Sequence, residues 1–78
     1  MTDVHLIIPD STETRATVIY WHVKVGDRVA EGQDIAELST AKTVFVIQSP
    51  VTGIITAINF STDAAVTAGD VLCSVQTD

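Results

Sequence analysis

The chain repeats itself. Shifting it by 37 residues lays Val18 on Ile55, Trp21 on Ile58, Val23 on Phe60, Val29 on Val66, Gly32 on Gly69, Ile35 on Leu72 and Leu38 on Val75, all apolar or glycine pairs, with no gap. In each copy a strand-like run (17–24, then 54–60) leads through a polar turn and a valine to a glycine, and a second run (34–38, then 71–75) follows. Two copies of one supersecondary unit predict a pseudo-two-fold, because equivalent positions must find equivalent packing. The runs are short, β-branched and punctuated by Gly, Pro and Asp. None repeats with the 3.6-residue period of an amphipathic helix, so the pattern predicts an all-β sandwich or flattened barrel.

Further strands are predicted at 4–8 and at Val44–Gln48. Gly32 and Gly69 stand where the chain turns sharply into the next strand, a position that calls for tolerance of positive φ. The linker Ser49-Pro50-Val51-Thr52-Gly53 joins the halves, and Pro50, with no N–H for a ladder, confines that stretch to a turn or an edge. At 78 residues the chain makes one domain, residues 1–78, and a domain of this size buries only about 60% of the surface its unfolded chain exposes. Its core is therefore compact, and with 46% hydrophobic but only 5% aromatic residues it is built from Val, Ile, Leu and Ala.

Charge narrows the partners. Ten acidic residues outnumber Arg15, Lys24, Arg28 and Lys42, for a net charge of -6, and the four cations are scattered. Phosphate-backbone binding needs clustered positive charge, so neither nucleic acid nor an anionic membrane is an expected partner. The one cysteine, Cys73, lies in the run Val71-Leu72-Cys73-Ser74-Val75 and reads as a small core residue. No apolar run approaches the roughly 20 residues of a membrane helix, and the start, Met1-Thr2-Asp3-Val4-His5, lacks the basic and apolar regions of a signal peptide. An intracellular location is expected: the cytoplasm, or the mitochondrial matrix in a eukaryote. His5 and His22 have no Cys pair or His-Glu motif around them, and no Gly-x-Ser-x-Gly elbow or phosphate loop occurs, so neither a metal site nor a catalytic residue is expected. Trp21, in a short strand, reads as core.

Against this background one residue stands apart. Lys42 is the only charged residue between Leu38 and Thr62, and it falls in the five residues Ser39 to Thr43 that reverse the chain between two strands. A loop of that length makes a hairpin. A primary amine at an exposed hairpin tip is open to a modifying enzyme without any unfolding. The plainer reading of the same residue is a solvated turn lysine.

Taken together, Ile8-Pro9-Asp10, Trp21 followed by Val23-Lys24-Val25-Gly26-Asp27-Arg28-Val29, Glu31-Gly32-Gln33, the Lys42 hairpin and Ser49-Pro50-Val51-Thr52-Gly53 resemble the biotinyl/lipoyl domains. Within that family they are most similar to lipoyl domains of the dihydrolipoamide acyltransferases of 2-oxo acid dehydrogenase complexes. The resemblance implies a flattened barrel of two four-stranded antiparallel sheets related by a quasi-two-fold. It implies lipoate in amide linkage on Lys42, with Glu13, Thr40, Ala41 and Thr43 forming the recognition surface around the turn. The chain stops at Asp78, just after the last expected strand, so it is expected to be the N-terminal domain of a longer protein, monomeric by itself. The implied partners are a lipoate ligase or lipoyl/octanoyl transferase, a thiamine-dependent 2-oxo acid decarboxylase and a dihydrolipoamide dehydrogenase.

The resemblance departs at the turn, where lipoyl domains usually read Glu-Thr-Asp-Lys-Ala and this chain reads Ser39-Thr40-Ala41-Lys42-Thr43, keeping Thr40 and Lys42 without the two acids. The loop Ser11-Thr12-Glu13-Thr14-Arg15 likewise stands in place of the usual Gly-Glu-Gly element. Biotinyl domains set Met on both sides of the lysine, where this chain has Ala41 and Thr43. Biotin on Lys42, and an unmodified interaction domain of the same fold, are the alternatives to lipoate.

Overall fold

The structure, a computed structural model, describes residues 1–77; Asp78, the last residue of the expected domain, lies outside the described residues. Eight strands and no helix run through them: β1 (Thr2–His5), β2 (Arg15–Trp21), β3 (Arg28–Val29), β4 (Asp34–Ser39), β5 (Val44–Gln48), β6 (Gly53–Ile58), β7 (Ala65–Thr67) and β8 (Val71–Thr77). They form two four-stranded sheets, ordered β1-β8-β6-β3 and β5-β4-β2-β7, with every pairing antiparallel. The all-β, two-sheet expectation is what the chain adopts.

The two sheet orders superpose when β2, β3 and β4 are laid on β6, β7 and β8, which is the repeat seen in the sequence. The correspondence reaches single hydrogen bonds. His22 N donates to Ile35 O at 2.9 Å, and 37 residues on, Asn59 N donates to Leu72 O at 2.9 Å. The register slips between Val18 and Tyr20 in β2 and at the equivalent place, between Ile55 and Ala57, in β6. Gly32 and Gly69 take φ of 84° and 94°, and their N–H groups donate to Ser49 O and Leu6 O.

The strand edges differ from expectation. β2 begins two residues before the expected Thr17 and stops at Trp21, and β6 stops at Ile58 rather than 60. β1 covers 2–5, so that Leu6 and Ile8 are buried from a connecting segment rather than a strand. β3 and β7, in the stretches expected as polar turns, are strands of two and three residues. Such short strands carry no period of their own; pairing with β6 and β2 makes them.

Alternation supplies the core. Along β2, Ala16 and Val18 point inward while Arg15, Thr17 and Ile19 face out, and Ile35, Leu38, Ile55, Leu72 and Val75 close the interior at 0% exposure. Each such aliphatic side chain contributes about 1.5–3 kcal/mol on burial. Trp21 lies at the rim of this core, half-buried, with its Nε1–H donating to Phe60 O at 2.9 Å, which ties the end of β2 to the segment after β6. Cys73 is fully buried, as expected for a core residue.

Candidate functional site

The β4–β5 hairpin closes more tightly than its sequence implied. Ser39 pairs with Val44, so it belongs to β4 and only residues 40–43 make the loop. Thr40 N then donates to Thr43 O at 2.8 Å, which leaves Ala41 and Lys42 as the tip. Thr40 holds that tip through its side chain. Its hydroxyl oxygen accepts from Lys42 N at 3.2 Å and from Thr43 N at 3.1 Å, while its one proton is directed at Thr43 O, 3.4 Å away. A threonine hydroxyl has one donor and two acceptor positions, and here all three are used. The backbone on either side of Lys42 is therefore fixed while its side chain projects into solvent.

The lysine does not stand alone. Its Nζ lies 3.5 Å from Thr12 Oγ1, in the loop that runs from β1 to β2. Asp10 organises that loop: one carboxylate oxygen, Oδ1, accepts from the Thr12 hydroxyl at 2.7 Å and from Thr12 N–H at 2.9 Å, and Glu13 N donates to Asp10 O at 3.0 Å. The Thr12 side-chain bond first, and the backbone bond second, hold the Asp10 carboxyl below its ordinary value. A shallow hollow of about 350 Å³ opens beside the turn, walled by Ser39, Thr40 and Ala41 on one side and by Arg15, Thr17 and Ala65 on the other.

Of the residues the sequence singled out, Thr40, Ala41, Lys42 and Thr43 form one turn. Glu13 is in the loop that the lysine touches, but Thr12 makes the contact. Asp10 was expected only as a piece of the family resemblance and Thr12 only as part of a polar loop; neither was expected beside the lysine. The local signal was the Asp-x-Thr spacing of an Asx turn, which announces an ordered loop but not its distant partner. The histidines lie elsewhere: His22 Nε2 is 3.5 Å from Glu37 Oε2 and the ring meets Tyr20 edge-on at 4.9 Å. Among the described residues no three potential metal ligands converge.

Sequence and fold both link this chain to known proteins. The profile of a family described as biotin-requiring enzyme, the biotinyl/lipoyl domains, matches residues 5–75. The chain belongs to the biotinyl/lipoyl domain family.

Its relatives point to the lipoyl side of that family. The chain is 36% identical over 74 residues to the dihydrolipoyllysine-residue succinyltransferase component of the 2-oxoglutarate dehydrogenase complex of Buchnera aphidicola subsp. Baizongia pistaciae, which covers 92% of this chain and 18% of the relative. It is 36% identical over 72 residues to the dihydrolipoyllysine-residue acetyltransferase component of the pyruvate dehydrogenase complex of Mycobacterium bovis, covering 90% of this chain and 13% of the relative. To the lipoamide acyltransferase component of the branched-chain alpha-keto acid dehydrogenase complex of Pseudomonas aeruginosa it is 47% identical over 57 residues, 69% of this chain and 13% of the relative. The chain spans less than a fifth of the length of these curated relatives. In fold it matches the solution structure of the lipoyl domain of the 2-oxoglutarate dehydrogenase complex from Azotobacter vinelandii, with a TM-score of 0.73 and 24% identity over 94% of this chain and 95% of that one.

Proposed function

We propose that this chain is a lipoyl carrier domain of a dihydrolipoamide acyltransferase, with lipoate joined in amide linkage to Lys42 Nζ. The observation that carries the reading is the placement of Lys42: a projecting amine at a two-residue hairpin tip, on backbone locked by Thr40, in a stretch with no other charge. The three relatives, each an acyltransferase component of a 2-oxo acid dehydrogenase complex, support lipoate over biotin. Acylation turns a charged ammonium into a neutral amide on a flexible stem. Residues 38–62 then carry no charge.

The dithiolane supplies the chemistry and the domain supplies position, reach and identity. Lys42 would hold the lipoyl group, whose disulfide would supply acyl-carrying and redox chemistry shared with a thiamine-dependent decarboxylase, an acyltransferase that uses coenzyme A and dihydrolipoamide dehydrogenase. Tethering holds the group at an effective concentration on the order of 1 mM at each site it visits. The surface those enzymes read is Thr40, Ala41 and Thr43 together with the Glu13 loop.

The reading is tested by incubating the purified chain with a lipoate ligase, ATP and lipoate and weighing the product. The expected outcome is one lipoyl adduct, located on Lys42 and absent from Lys42→Arg. No adduct on the parent chain, or an adduct with biotin under a biotin ligase instead, would refute it.

A further inference from the structure

The contact between Lys42 and the β1–β2 loop has a direction. An ammonium only donates and an ionised carboxylate only accepts, so the Thr12 hydroxyl proton must point to Asp10 Oδ1, 2.7 Å away, and a lone pair faces Lys42 Nζ at 3.5 Å. Thr12 is not free to turn away. Its own N–H is bound to the same Asp10 oxygen at 2.9 Å, and the turn beneath is closed by Glu13 N to Asp10 O at 3.0 Å. The hairpin of Lys42 offers no carboxylate in exchange, because Glu37 faces His22 and the next acid along the chain is Asp63. The loop therefore supplies through a hydroxyl the anionic partner that the turn itself lacks.

We propose that Thr12, clamped by Asp10, is the positioning residue for the Lys42 side chain and that it keeps hold of Nζ after acylation. Acylation by an acyl anhydride forms one N–C bond at Nζ as the donor's acyl–oxygen bond breaks and its carboxylate or phosphate part leaves; two of the three ammonium protons pass to solvent, and the one N–H that remains in the amide is still a donor. Thr12 still offers its lone pair. The root of the attached arm is thus directed across residues 10–13 instead of sweeping evenly about the tip. For its biological meaning the inference rests on Lys42 as the attachment site, but the hydrogen bond does not depend on which acyl group is attached.

That independence sets the test. The chain has two lysines, and the ammonium of Lys24 has no hydrogen bond among the described residues. Acetic anhydride acting on protein labelled with ¹⁵N-lysine places the same acetamide on both, releasing acetate, so the two side-chain amide signals can be compared in one sample. The expected result is solvent exchange at least several-fold slower at Lys42 than at Lys24. Thr12→Ser keeps the difference, Thr12→Val erases it and Asp10→Ala reduces it, with the backbone spectrum otherwise unchanged. Equal rates in the parent chain, slow exchange that persists in Thr12→Val, or full protection in Asp10→Ala would overturn the proposal. Because no lipoate is used, failure here is distinct from failure of the lipoyl reading, which would appear as absence of enzymatic lipoylation.

Discussion

Asp63 shows how a repeat is bent at a single residue. It takes φ of 74° in the slot that Gly26, at 96°, fills in the other half; Gly26 N donates to Ile55 O at 2.8 Å and Asp63 N to Val18 O at 2.7 Å. The left-handed region costs an ordinary L-residue roughly 1–2 kcal/mol, less for aspartate. Asp63→Gly should therefore raise stability by about 0.5 kcal/mol, while Gly26→Ala should lower it by about 1–2 kcal/mol, both read from urea midpoints. Cys73 makes a second prediction. Burial pushes its thiol up from 9.0 to about 11, so the folded state binds that proton more tightly than the unfolded state. Its contribution is fully present below pH 9 and is lost as pH rises from about 9 toward 11. Cys73→Ala should flatten that part of the stability profile, and native protein at pH 8 should leave a thiol reagent unreacted until it is unfolded.

At the scale of elements, what could be read in advance depended on whether an element carried its own signal. Val44–Gln48 matches its expected bounds because an apolar β-branched run between a polar turn and a proline needs no partner to announce it. β7 is different: Ala65–Thr67 is a strand because Ala16 and its neighbours offer pairing, and the same pairing draws Arg15 and Ala16 into β2. The candidate site divides along the same line. Lys42 was legible through the absence of other charges around it, whereas Thr12 reaches it only once two sheets have brought the loop and the hairpin together. Within the hairpin, Thr40→Val removes the acceptor for two N–H groups. Because the turn is exposed, the expected loss is about 1 kcal/mol. Lipoylation should slow in the same variant, with Thr40→Ser restoring both, as followed by thermal unfolding and ligase kinetics.

Over the whole molecule the quasi-two-fold explains why the lysine sits where it does. The β4–β5 pair that ends in the Lys42 tip is matched by the β8–β1 pair, in which Thr2 lies opposite Val75. The measurement that tests this account most directly is the intact mass of the protein isolated from its native host, with fragmentation to locate any adduct. The account predicts a lipoyl group on Lys42 and none on Lys24. A biotinyl group there, or an unmodified Lys42, would contradict it.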